Sequence, residues 1–230
     1  MLAPVRCEQV RATSQSHQNG AVSTPAGDSA DRSDRADRPV TAISVDIEAA
    51  GPSPSGFALL SLGAVLVDEP AASLPDGVAP HFYVELQPDR DGELPGAMAV
   101  GGFTLEGLRA TGTPPAAAMR AFADWIDAVT PPGHRPVMVG FNAAFDWMFV
   151  ADYFHRYLGT NPFGHSAIDV KAYYLGVTGS SWTATSMPFV AARYGLDISL
   201  THNALDDARD QAALFRAVRD EAQARPRSEG

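Results

Sequence analysis

Val137-Met138-Val139-Gly140-Phe141-Asn142-Ala143-Ala144-Phe145-Asp146 changes its periodicity part-way along. The stretch from Pro136 to Phe141 is apolar and β-prone, and it reads as a buried strand. Behind it, Phe145, Met148, Phe149 and Tyr153 recur at spacings of three and four, which predicts a helix with one apolar face. Asn142 stands where an N-cap is expected. Asp146 falls in the first turn, where an acid on its own is explained by the helix dipole. A strand running straight into a helix is a unit of an α/β fold, and its neighbours on both sides decide how the sheet is built.

Upstream, Ala42 to Ile47 is a short β-prone run. Phe57 to Val67 is a longer one, separated from it by the turn-forming Gly51-Pro52-Ser53-Pro54-Ser55-Gly56. His81 to Leu86 is a third. Thr113-Pro114 opens a helix whose Met119, Phe122, Ile126 and Val129 make a buried face, and Pro131-Pro132-Gly133 stops it. Downstream, a short strand at Ser166 to Val170 leads to two shorter helical stretches. The second spans Met187 to Tyr194 and is closed by Gly195. A last helix is expected from about Asn203 to Gln223, with Leu205, Ala208, Ala212, Phe215 and Val218 on its inner side. Three consecutive strands followed by alternating helices and strands predict an α/β sandwich with a mixed sheet of five strands.

The flanks read differently. Residues 1–40 are rich in Ser, Gln, Asp and Arg and contain no aromatic residue, so they bury too little surface to offset ordering entropy. The expected organisation is a disordered tail over 1–40, one domain over 41–222 and a flexible C-terminus over 223–230. Of the 230 residues, 27 are acidic and 17 are Lys or Arg, a formal net charge of −10. Five acids and five bases fall in residues 1–40, so the whole imbalance belongs to the domain. That acidity argues against coating nucleic acid or anionic membrane by bulk attraction, so a nucleic-acid substrate would have to be gripped locally. The single cysteine, Cys7, excludes an internal disulfide and any multi-cysteine metal site. No apolar run is long enough to span a membrane and no signal segment is evident, so a soluble, cytoplasmic protein is expected.

Three groups of residues carry potential chemistry. Asp46 and Glu48 end the first strand, and residues two apart on a strand share a face. Asp146 opens the helix after the fourth strand. His202, Asp206 and Asp207 lie at the start of the last helix, so His202 and Asp207 flank its first turn. Each group alone has a bland reading as a surface or first-turn acid. Together, Asp46, Glu48, Asp146 and Asp207 would repel one another strongly unless a cation were present. Mg2+ and Mn2+ favour carboxylate and water oxygens, and a pair of them suits phosphoryl transfer. His202 is suited to accept a proton near neutral pH.

Asp46-Ile47-Glu48, Asn142-Ala143-Ala144-Phe145-Asp146 and His202-Asn203-Ala204-Leu205-Asp206-Asp207 resemble, in order, the three motifs of the DEDDh family of 3'-to-5' exonucleases. The resemblance covers roughly residues 41 to 220. Within that family the chain is most similar to the ribonuclease T group, through Asp46 to Gly51, Val137 to Asp146 and the tract Asn161-Pro162-Phe163. The resemblance implies a ribonuclease H-like three-layer sandwich. It implies that Asp46, Glu48, Asp146 and Asp207 are metal-site carboxylates for two Mg2+ or Mn2+ ions, and that His202 is the general base. It also implies release of nucleoside 5'-monophosphates from the 3' ends of single-stranded RNA or DNA. Many relatives pair as homodimers, which leaves that state open here. The family commonly has Thr after the first Glu and often has His before the Asn of the second motif; Ala49 and Phe141 stand at those positions.

Stacking platforms for unpaired bases are expected beside such a site. Phe57, Phe103 and Phe141, with Ala49 and Asn142, are the candidate substrate contacts. Trp182, in a Gly/Ser-rich loop, either covers substrate or tucks against the fold. Asp169 is read first as a helix cap. The competing function is a non-catalytic exonuclease-like module that binds nucleic acid or a partner protein. Retention of all five catalytic-type positions favours the enzyme.

Overall fold

A computed structural model describes residues 38–68, 78–198 and 201–225. The tail expected over residues 1–40 lies outside the described residues up to 37, as do residues 226–230. Among the described residues five strands form one sheet: β1 (Val40–Ala49), β2 (Leu59–Leu66), β3 (His81–Glu85), β4 (Arg135–Gly140) and β5 (Ala167–Asp169). Their spatial order is β3-β2-β1-β4-β5. β1 pairs antiparallel with β2 and parallel with β4, and β4 pairs parallel with β5, so the sheet is mixed as its element order predicts.

Alternation along β1 sorts the two faces. Ile43, Val45 and Ile47 join a core cluster with Met119, Phe122 and Phe149. These come from two helices on that face, α3 (Pro115–Val129) and α4 (Ala144–Leu158). The opposite face is covered by α5 (Val170–Thr178), α6 (Met187–Tyr194) and α7 (Ala204–Ala224), whose Val170, Tyr174, Val190 and Phe215 pack with Val139 of β4. The result is a three-layer sandwich. α7 extends slightly past the expected end of the domain at residue 222.

Two short helices, α1 (Pro95–Gly101) and α2 (Leu105–Thr111), occupy a segment for which the apolar pattern predicts no element. α1 buries no residue and α2 buries only Leu105 and Leu108, so neither carries an apolar stripe long enough to read. The second strand starts later than expected: Phe57 makes only an isolated bridge to Gly92, and the ladder begins at Leu59. Asn142 is not the N-cap of α4. It sits in the left-handed region, with φ 62°, and Ala143 takes the cap position with no side-chain cap. The capping role falls to Asp169, one of whose carboxylate oxygens accepts from the Ala143 N–H at 2.6 Å while the other caps α5 by accepting from the Ala172 N–H at 2.6 Å.

Candidate active site

The parallel ladder places the C-terminal ends of β1 and β4 side by side, and three chain segments meet there. Asp46 and Glu48 project from β1 on the side of α7, the face opposite Ile47. A register shift between Glu48 and Ala49 breaks the β1–β2 ladder beside them. Asp146, in the first turn of α4, is buried and accepts from the Ile47 N–H at 3.1 Å. Asp207, in the first turn of α7, is also buried. Its Oδ1 accepts from the Thr201 N–H at 2.9 Å and the Thr201 hydroxyl at 3.1 Å, and its Oδ2 accepts from the His202 N–H at 3.0 Å. His202 is exposed and adopts the left-handed conformation, φ 56°, immediately before Asn203 caps α7.

Asp46, Glu48, Asp146, Asp207 and His202 line one cleft of about 210 Å³, together with Phe141, Asn142 and Phe145. All five residues singled out as catalytic are therefore brought together, and Asp206 is not among them: it forms an exposed ion pair with Arg209 at 2.7 Å. No Lys or Arg lines this cleft among the described residues. The electrostatic consequence is marked. Burial, then the Asp146, Asp207 and Glu48 carboxylates, push Asp46 well above the usual carboxylate range, against the hydrogen bond from the Gln211 amide. Burial is the largest influence on Asp146 and raises it to about 8, with the Glu48 and Asp169 charges adding to it against two backbone hydrogen bonds. Burial and the Asp207 charge bring Glu48 to about 7.

The donor set fits a hard divalent cation. It is made of carboxylate oxygens held by backbone N–H groups, with a deficit of positive charge. Ligand atoms of Glu48, His202 and Asp207 all lie within 4.8 Å of one another.

The expected substrate contacts divide. Phe141 and Asn142 lie in the cleft. Phe103 lines a neighbouring cleft of about 620 Å³ that contains none of the catalytic-type residues. The two are close: a Cβ at Gly101 would lie 2.8 Å from the Phe103 ring and 3.7 Å from the Glu48 carboxylate. Phe57 packs instead against Gly51, with Ala50, Ala58 and Leu60 beneath it, and is not among the residues lining the catalytic cleft. The Ala49 methyl belongs to the core cluster of the α3/α4 face, so only its backbone is left to meet a substrate.

Gln211 was not singled out from the sequence. Its Oε1 accepts from the Phe141 N–H at 2.9 Å and its Nε2 donates to Asp46 Oδ1, joining β1, β4 and α7 at the cleft. A signal existed: Gln211 follows Asp207 by four residues and is, with Asp207, a polar exception on the inner side of α7, where both are buried.

Sheet order, layering and converging carboxylates define the class as a three-layer α/β sandwich with an acidic cleft of the kind that holds divalent cations for phosphoryl transfer. The family model described as Exonuclease, that of RNase T, matches residues 43–215, and the chain belongs to this family. The 3'-5' DNA exonuclease Cap18 of Escherichia coli is 42% identical over 176 residues, covering 76% of this chain and 90% of that protein. Among solved structures, the nuclease domain of 3'hExo, a DEDDh family member bound to rAMP, superposes with a TM-score of 0.63 at 14% identity, over 82% of this chain and 96% of that one. Exonuclease I of E. coli in complex with a dT13 oligonucleotide gives 0.58 at 19% identity, over 78% of this chain. The chain spans about two fifths of exonuclease I, 41% of its length. No helix among the described residues is long and apolar enough to cross a membrane.

Proposed function

We propose that the protein removes nucleoside 5'-monophosphates stepwise from the 3' end of single-stranded DNA or RNA, with two divalent cations, Mg2+ or Mn2+, held by Asp46, Glu48, Asp146 and Asp207. The observation that carries this reading is the convergence of those four carboxylates in one cleft that no Lys or Arg neutralises. Bound there, the cations supply Lewis-acid polarisation of the phosphodiester and a more acidic attacking water. The name of the Cap18 relative favours DNA as the substrate.

The chain's own groups divide the remaining work. Asp207 is oriented through both carboxylate oxygens by Thr201 and His202, and Asp46 is oriented by Gln211. Asp146 is fixed against the Ile47 N–H. His202, exposed at the mouth, accepts the proton of the attacking water. A bond forms from that water oxygen to the terminal phosphorus, and the bond from phosphorus to the preceding O3' breaks. Phe141 and Phe145 flank the acids and give the terminal nucleotide an apolar wall. Phe103, close to Glu48, extends that wall.

A 5'-labelled oligonucleotide with a free 3' hydroxyl should shorten stepwise with Mg2+ or Mn2+, and one with a 3' phosphate should not. Asp46→Ala should abolish the ladder. Equal hydrolysis of both oligonucleotides, hydrolysis of mononucleotides only, or an active Asp46→Ala variant would overturn the assignment. Matched DNA and RNA substrates decide the sugar preference.

A further inference from the structure

Lys171 is the only lysine in the 230 residues, and its ammonium lies 4.2 Å from the centre of the Trp182 ring. Three features make this pair unusual in an otherwise acidic domain. The first is exposure: Trp182 is 59% exposed, the highest value among the large apolar side chains of the described residues. An indole held against solvent by a cation contributes little to folding, so burial does not explain it.

The second is charge. Four arginines on the same side of the sheet are neutralised locally, Arg193 and Arg225 by Glu221, Arg209 by Asp206 and Arg219 by Asp68, while Arg216 donates to the Val67 carbonyl. Among the described residues Lys171 makes no ion pair, so its charge is free for a ligand.

The third is position. Lys171 follows by two residues Asp169, which pairs with Gly140 at the end of β4 and is hydrogen-bonded to the Ala143 N–H beside Asn142 of the cleft. The first turn of α5 thus abuts the rim of the catalytic cleft. After α5 ends at Thr178, the chain turns at Gly179, φ 67°, and a single turn of 3-10 helix at Trp182–Ala184 returns the indole to that first turn.

We infer that Lys171 and Trp182 form a platform for the nucleotides that precede the 3' end, the indole stacking on an unpaired base and the ammonium contacting the adjoining phosphate. This rests on the exonuclease reading of the cleft. An exposed aromatic face joined to a free cation is the chemistry that grips single strands without reading sequence. A strand leaving an acidic cleft needs such a grip, because the cleft itself holds only the terminal phosphodiester. The pair is a positioning element, since neither residue lines the catalytic cleft.

The test is steady-state kinetics on single-stranded substrates of increasing length, from a dinucleotide to a nine-nucleotide strand, as DNA and as RNA. Trp182→Ala and Lys171→Glu should leave kcat and the dinucleotide KM unchanged and raise KM for the long strand about tenfold, within the range expected for one lost stacking contact. Trp182→Phe and Lys171→Arg should restore most of the loss. Equal effects on short and long substrates would assign the pair a structural role and overturn the inference, as would unchanged KM at every length. A change in molecular mass by light scattering without a change in KM would give the patch to a second copy of the chain and overturn it too. If the unaltered protein shortens no oligonucleotide, it is the reading of the cleft that fails, and that result is distinct from a length-independent variant.

Discussion

Gly63 of β2 lies against the backbone of Ala204, the first residue of α7: a Cβ at Gly63 would sit 2.3 Å from the Ala204 carbonyl carbon. Gly63 is also the cross-strand partner of Asp46. One absent side chain therefore sets how closely the helix bearing Asp207 approaches the strand bearing Asp46. Neither helix backbone nor strand can yield cheaply at that contact, so Gly63→Ala should destabilise the fold by about 1 to 3 kcal/mol, as overpacking does. It should also lower kcat by more than about tenfold, because a small displacement of a catalytic group is amplified in rate. Denaturant midpoint and kcat measured on the same preparation check both; a variant with both values unchanged would show that the helix is free to shift.

The acid cluster makes metal-free stability depend on pH with a definite sign. Asp146 is raised to about 8 and Glu48 to about 7, both above their ordinary values, so the folded state holds their protons more tightly than the unfolded chain does. Their stabilising contribution is complete below pH ~4 and is lost as pH rises through about 7 and then about 8. In EDTA, unfolding free energy should fall by an amount on the order of 1 to 3 kcal/mol between pH 6 and pH 8.5. Millimolar Mg2+ should restore it chiefly at the higher pH, and Asp146→Asn should flatten the EDTA slope. A metal-free protein as stable at pH 8.5 as at pH 6 would contradict the assignment.

Gln211 offers a separate check on how the acids are held. Its amide satisfies the Phe141 N–H and one oxygen of Asp46 from a buried position. Gln211→Ala removes both partners and should cost about 1 to 3 kcal/mol, the usual penalty for unpaired buried groups. It should also reduce kcat more than it raises KM, since the loss falls on the orientation of Asp46. Gln211→Glu should be worse in EDTA than with Mg2+, because it adds a fifth negative charge to the cluster. Equal stability of the Glu variant in both conditions would remove Gln211 from the site.

These residues also mark where the sequence was readable. β1 and β4 follow from short β-prone runs and α4 and α7 from period-3.6 apolar patterns, and Asp46, Glu48, Asp146, His202 and Asp207 sit at the ends of those segments, so the cleft could be assembled from ordered motifs. Gln211 gains meaning only when α7 lands on β1, a contact between residues 165 positions apart. α1 and α2 are seven residues each and lean on loops, so no periodicity announces them. Ala49 is expected as a substrate contact because it stands at the family's Thr position, and Phe57 because it follows a turn-rich segment near the site. Strand alternation and the register shift at Glu48/Ala49 turn Ala49 into the core, and Gly51 makes room for the Phe57 ring.

His202 poses the sharpest mechanistic question, because its side chain groups geometrically with Glu48 and Asp207 while its backbone N–H already serves Asp207. Two roles follow from one position: a general base that faces the water, or a third metal ligand. The left-handed backbone at His202, uncommon for a residue with a Cβ, turns the chain so that N–H and imidazole serve different partners. Because the Asp207 contact is made by the main chain, His202→Ala preserves it and isolates the ring. As a base, the ring contributes roughly a hundredfold or more to kcat near neutral pH, and its loss should lower kcat by about that factor while leaving Mn2+ affinity unchanged. As a ligand, its loss should weaken Mn2+ binding in calorimetry, with activity recovering at high metal concentration. The base assignment predicts no such recovery, so a metal titration of the variant decides between them.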